Sequence, residues 1–143
     1  MINRTLVEER LVLMIGYLKE LQRLSERHRE AFLGDFVRVA AAESFLRRSL
    51  EAAFDVGRHI LAKSGYLEMA GEHKSIARGM MELDVVDDCL GQALVRMAGC
   101  RNRLVPMYAR VSDEELYEII VHHLGDIRGF VVQVRDFVSR LDA

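Results

Sequence analysis

A single proline stands in the 143 residues, tryptophan is absent, and almost nowhere does the chain alternate apolar with polar residues long enough for a half-buried strand. These absences exclude a β-sandwich or barrel and leave an all-helical chain. Two cysteines without close spacing are too few for a disulfide framework or a structural zinc site. Cys89 and Cys100 also lie eleven residues apart in one expected helix, about 16 Å along its axis, too far for a disulfide, so both are expected as reduced, packed thiols. Basic excess is missing too: the net charge of -2 gives no overall field to draw in nucleic acid, and any such site must be local. The longest apolar run, Leu11 to Leu18, falls far short of the roughly 20 residues a bilayer requires, and no basic-then-apolar segment opens the chain. A cytoplasmic protein without a membrane partner is expected. Internal repeats and low-complexity tracts are absent, and the length suits one domain over residues 1–143.

What is present is helical periodicity. Asn3 is placed to cap a first helix whose apolar positions Val7, Leu11, Met14, Leu18 and Leu21 step by three and four, with Leu6, Leu13, Tyr17 and Leu24 off that stripe. Apolar on more than one side, this helix calls for two partners, within the fold or across a dimer. Gly34-Asp35 breaks the chain and caps a long second helix with Phe36, Val39, Leu46, Leu50, Ala53, Gly57 and Ile60 on one face, ending near Ser64-Gly65. Glu43 falls on that face, either as a site residue or as a flank carboxylate reaching water. A short third helix is expected around Ser75 to Leu83. Asp84 is then expected to cap a fourth, with Asp87 in its first turn and Val86, Leu90, Leu94 and Met97 along it, ended or kinked by Pro106. Ser112-Asp113-Glu114-Glu115 has the form of a capping box, Glu115 reaching back. A final continuous helix then carries Leu116, Ile120, Ile127, Phe130, Val134, Phe137 and Leu141, with His123 in one core seat. The expected architecture is an up-and-down bundle of about five helices.

One window stands apart in charge. From Cys89 to Ser112 there is no aspartate or glutamate, yet Arg96, Arg101, Arg103 and Arg110 fall within it. The planar guanidinium suits bidentate phosphate contacts, and the Asn102 amide can donate to phosphate or read a base edge. The alternative is a set of solvated arginines paired with acids on other helices. No histidine has a glutamate three residues before it, which argues against a carboxylate-bridged di-iron bundle. His28, His59 and His73 read as surface or helix-end residues, His123 as a core histidine, and His122 lies on a different face of the last helix; none is preferred as a site.

The same window contains Arg101-Asn102-Arg103-Leu104-Val105-Pro106-Met107-Tyr108. It resembles the signature Arg-Asn-x-Leu-Val-His-x-Tyr of the HepT branch of the HEPN superfamily, the toxins of type VII toxin–antitoxin pairs. Every specified position matches except one, where Pro106 stands in place of histidine. The resemblance extends softly over about residues 35 to 140. It implies a dimeric helical bundle that cleaves RNA without a metal or other cofactor, using the substrate 2′-hydroxyl as nucleophile. Carried over residue by residue, Arg101 stabilises the phosphate, Asn102 is its polar neighbour and position 106 transfers the proton, while Arg96, Arg103 and Arg110 are the expected RNA contacts. Tyr108 matches the tyrosine to which the partner antitoxin, a minimal nucleotidyltransferase called MNT, transfers AMP from ATP. An AMP there places anionic phosphate beside Arg101 and competes with RNA.

Proline has no titratable side chain, and general acid–base catalysis contributes roughly 10² to 10⁴-fold, so a weak ribonuclease is expected. Three explanations stay open: a naturally degenerate member, an inactivating change, or substitution by another histidine. The rival function is a non-catalytic helical subunit that binds a nucleotidyltransferase or RNA without cutting.

Overall fold

The computed structural model describes residues 1–104 and 111–141, and Val105 to Arg110, with Pro106, Tyr108 and Arg110 among them, lie outside the described residues. Seven α-helices occur among the described residues: α1 (Arg4–Ser25), α2 (Arg29–Leu33), α3 (Phe36–Lys63), α4 (His73–Glu82), α5 (Asp88–Arg103), α6 (Asp113–His122) and α7 (Leu124–Arg140), with a 3-10 turn at Leu67–Met69. The spine is α1 laid along α3. Against it pack α6 and α7, while α4 joins α3 to α5, which also touches α3 and α7 directly.

The first helix follows its pattern. Asn3 Oδ1 accepts from the Leu6 amide at 3.0 Å, and Val7, Leu11, Met14, Leu18 and Leu21 are all buried. Asp35 likewise caps α3 by accepting from the Val37 and Arg38 amides, and Leu46, Leu50, Ala53, Gly57 and Ile60 face the core. Phe36 departs from that stripe at 87 % exposure, because none of the described residues covers it at the first turn of α3. Gly65, at φ 87°, ends α3, and the Tyr66 amide reaches back to the Leu61 carbonyl at 2.9 Å.

Asp84 acts on the other side of its turn from the one expected. At φ 59° it takes the left-handed seat that closes α4, with the Val85 amide on Met80 O and its own amide on Met81 O. That is a Schellman termination, completed by the buried side chains of Met80 and Val85. The cap of α5 is Asp87, whose Oδ1 accepts from the Leu90 amide at 2.8 Å. Ser112 caps α6 by accepting from Glu115 N, but the Glu115 carboxylate turns to Arg103, so half of the capping box is spent elsewhere.

The last helix is two. His123, at φ -120° and ψ 7°, breaks it and is exposed, which hands the core seat to Leu124, 7 % exposed. Seating a leucine removes apolar surface from water, whereas a seated imidazole must be desolvated and given partners. Cys89 is exposed on α5 and only Cys100 is partly packed, its thiol pushed up chiefly by burial. None of the helices among the described residues is long and apolar enough to cross a membrane.

Candidate functional site

Glycines let the helices carrying the site approach closely. A Cβ on Gly57 of α3 would stand 2.6 Å from Ile76 and 2.7 Å from Met80 of α4, and one on Gly91 of α5 would stand 2.0 Å from Met81 Cγ. With no side chain at these points, α4 sits tight between α3 and α5. The last turn of α5, residues 100 to 103, is carried out from that packed start, and its two arginines lie at the negative end of the helix dipole.

Arg101 faces α3. Its Nη2 lies 3.6 Å from Glu51 Oε1, an ionic contact rather than a hydrogen bond, and its Nε is buried with no hydrogen-bond partner among the described residues. Glu51 is shared: Arg47 Nη1 also stands 3.6 Å from it, and Arg47 Nε meets Glu43 at 3.3 Å. Glu43 is thus the outer member of a chain of charges running along α3 to Arg101. A buried donor without an acceptor costs about 1–3 kcal/mol, which an anion placed against the guanidinium would recover.

Arg103, two residues on, faces α6. Both of its terminal nitrogens meet the Glu115 carboxylate at 2.6 Å in a fork-to-fork pair, which raises the arginine and holds the carboxyl below its ordinary value. Arg96 lies on the same side as Arg103, exposed at the edge of a crevice walled by Leu46, Leu50, Met97, Ile119 and Ile127, with His123 and Asp126 beside it. Asn102 is exposed. The structure therefore splits the basic window: Arg101 looks to α3 and α4, Arg96 and Arg103 look to α6 and α7.

On the Arg101 side the structure adds residues that sequence periodicity did not single out. His73 opens α4 half-buried, its ring edge-on to the buried Phe54 ring at 4.8 Å. Asp55, beside Phe54, pairs with Arg58 at 3.0 Å, and Arg58 Nε donates to the Ala70 carbonyl at 3.2 Å, which ties the approach to α4 down onto α3. Burial, then the charges of Arg101 and Arg58, lower the His73 pKa against the opposite pull of Asp55 and Glu51. The i, i+4 spacing of Arg47, Glu51 and Asp55 was a legible signal that these side chains share a face; no local signal marked His73.

The model of the family described as Ribonuclease HepT-like matches residues 14–134, starting earlier than the expected 35 to 140 and ending slightly short of it. A tRNA nuclease HepT from Aphanizomenon flos-aquae (strain 2012/KM1/D3) is 24 % identical over 144 residues, covering 99 % of this chain and 95 % of that protein. Among solved structures, the tri-AMPylated Shewanella oneidensis HEPN toxin in complex with MNT antitoxin superposes with a TM-score of 0.79 at 19 % identity, over 92 % of this chain and 97 % of that one. YutE from Bacillus subtilis, a cytosolic protein of unknown function, superposes with a TM-score of 0.74 at 17 % identity, over 97 % and 92 % of the two chains. At these identities the superpositions establish the helical fold.

Proposed function

Because the chain belongs to the HepT-like ribonuclease family, we propose that it is the RNA-cleaving toxin of a toxin–antitoxin pair, acting as a cytoplasmic homodimer and restrained by an MNT-type nucleotidyltransferase. The observation that carries this reading is Arg101, the first residue of the signature, held over α3 by Glu51 with its buried Nε unpaired among the described residues. In the cleavage, the RNA 2′-oxygen attacks the adjacent phosphorus and the 5′-oxygen leaves, producing a cyclic phosphate end. The Arg101 guanidinium stabilises the charge that builds on the phosphate oxygens. Asn102, exposed beside it, contacts the RNA, and Arg96, Arg103 and Arg110 hold the strand around it. Tyr108 is the AMP acceptor, in keeping with the AMPylated state of the Shewanella toxin.

Pro106 supplies no proton donor or acceptor, so the chain as it stands cuts slowly. The test is RNA cleavage in metal-free buffer by this chain and by its Pro106→His variant. A gain of about 10² to 10⁴-fold with cyclic phosphate ends is expected. If neither form cuts RNA, the ribonuclease reading fails. Pro106 specifically favours one rival, a non-catalytic subunit that binds the nucleotidyltransferase, and failure of both forms to cut would put that rival in its place.

A further inference from the structure

We propose that His73 is a catalytic residue of this chain, the proton acceptor for the RNA 2′-hydroxyl, working with Arg101 over the Glu51–Asp55 turn of α3. The inference rests on the ribonuclease reading above and adds a residue from outside the signature.

The placement is what points to it. Residues 51, 54, 55 and 58 recur at three- and four-residue spacing along α3 and so form one surface of that helix. Two other helices reach that surface: Arg101 from the end of α5 through Glu51 at 3.6 Å, and His73 from the start of α4 through Phe54 at 4.8 Å. Arg58, bonded to both Asp55 and the Ala70 carbonyl, holds the segment leading to His73 against the same surface. A cation whose buried N–H has no partner among the described residues and an imidazole thus converge on one stretch of α3 from two other helices.

The charged groups facing His73 are Glu51, Asp55 and Arg58 from α3 and Arg101 from α5. Burial and the two arginines prevail over the carboxylates, so the imidazole is neutral at pH 7 and able to take a proton. The other histidines are engaged or placed elsewhere. His59 Nε2 accepts the Asn3 amide at 2.9 Å, His122 meets Glu118 at 3.3 Å, His28 stands exposed before α2, and His123 is exposed at the α6–α7 break.

In the step itself the 2′-oxygen forms its bond to phosphorus as its proton passes to His73. The bond from phosphorus to the 5′-oxygen breaks, that oxygen takes a proton from water, and the imidazolium returns its proton to solvent. Arg101 meets the non-bridging oxygens throughout.

The experiment measures single-turnover cleavage of a single-stranded RNA in four full-length proteins (the chain as it stands, Pro106→His, and His73→Ala in each background), with Arg101→Ala and His73→Gln of the unaltered chain as two controls. Slow, Arg101-dependent cleavage by the unaltered chain is expected, falling at least tenfold with His73→Ala and recovering with added imidazole. The loss must be at least tenfold larger in the Pro106 background than in the Pro106→His background, since a merely structural role would weaken both alike. The unaltered chain's rate should also rise with pH and level off as His73 becomes neutral. His73→Gln, which keeps bulk against Phe54, should lose activity like His73→Ala while melting like the parent. If Pro106→His cuts and the unaltered chain does not, the ribonuclease reading stands and His73 is eliminated. If none of the four cuts, both ideas fall together.

Discussion

The two ends of α5 are built on different principles. Its start is an apolar seam in which Leu90, Gly91, Ala93 and Leu94 are buried against neighbouring helices, tight enough that one added carbon at Gly91 would collide with Met81. Its end is charged and loosely held, with Gly99 in open space and Arg101 resting on a carboxylate at 3.6 Å. The first end fixes where the helix lies, and the second is left able to exchange its internal ion pair for an external anion. Within that second end the same contrast recurs, since Arg103 is saturated by Glu115 and Arg101 is not.

The largest expected effect tests that inner contrast. In the Pro106→His background, Arg101→Ala should lower the cleavage rate by about 10² to 10³-fold, the loss typical of removing one preorganised donor to the developing charge. Arg103→Ala should change it by less than about fivefold and act mainly on the salt dependence of RNA binding, because in the proposed function Arg103, already paired with Glu115, makes only a peripheral phosphate contact. Equal losses for the two arginines in a metal-free cleavage assay would mean that the split of α5 into an α3-facing and an α6-facing side has no bearing on catalysis.

A second pair of substitutions breaks the contrast along the helix. Gly91→Ala forces a methyl to within 2.0 Å of Met81 Cγ and should cost about 1–3 kcal/mol of stability. Gly99→Ala meets nothing within 4 Å and should gain up to about 1 kcal/mol, the difference in helix propensity between the two residues. Urea denaturation of both proteins checks this, and a destabilising Gly99→Ala would show that the far end of α5 is closely packed after all.

Much of the scaffold was legible because one helix faced one core. The stripe from Val7 to Leu21 is buried as its spacing requires, and the caps at Asn3, Asp35 and Ser112 act where they were expected. The failures share a cause, which is that periodicity does not say where the core stops. Phe36 continues the α3 stripe past the described residues that cover it, and His123 lies on the α7 seam at a point where a break seats Leu124 instead. Asp84 was expected to cap α5 with Asp87 in its first turn, but the left-handed backbone at Asp84 assigns it to the end of α4 and leaves the cap to Asp87. Arg101 stood out through the acid-free window and the signature. The grouping around it did not, since His73 meets Phe54 only after the intervening chain has folded α4 back along α3.

The smallest effect is a pH dependence that ties His73 to the loose end of α5. Both His73 and His59 have pKa values below the ordinary 6.5, each chiefly through burial, with Arg101 and Arg58 contributing at His73 and Lys63 and the chain's amino terminus at His59. Above that ordinary value the folded and unfolded chains are both neutral at these sites, and stability is independent of them. As pH falls through it, the unfolded chain binds protons first, so stability declines until the folded values are passed. His59 gives this a structural correlate, because a protonated Nε2 can no longer accept the Asn3 amide that begins α1. The urea midpoint should therefore drop between pH 7.5 and 5.5, and the slope should flatten in a His59→Gln, His73→Gln double variant. Glu115, held below its ordinary 4.5 by Arg103, loses its contribution as pH falls from about 4.5 through that lower value, and does not contaminate this window. Arg101→Ala should remove part of the slope and Arg103→Ala none of it. A slope that responded equally to both arginines would place His73 outside the influence of Arg101, and with it would go the geometric basis for pairing the two in catalysis.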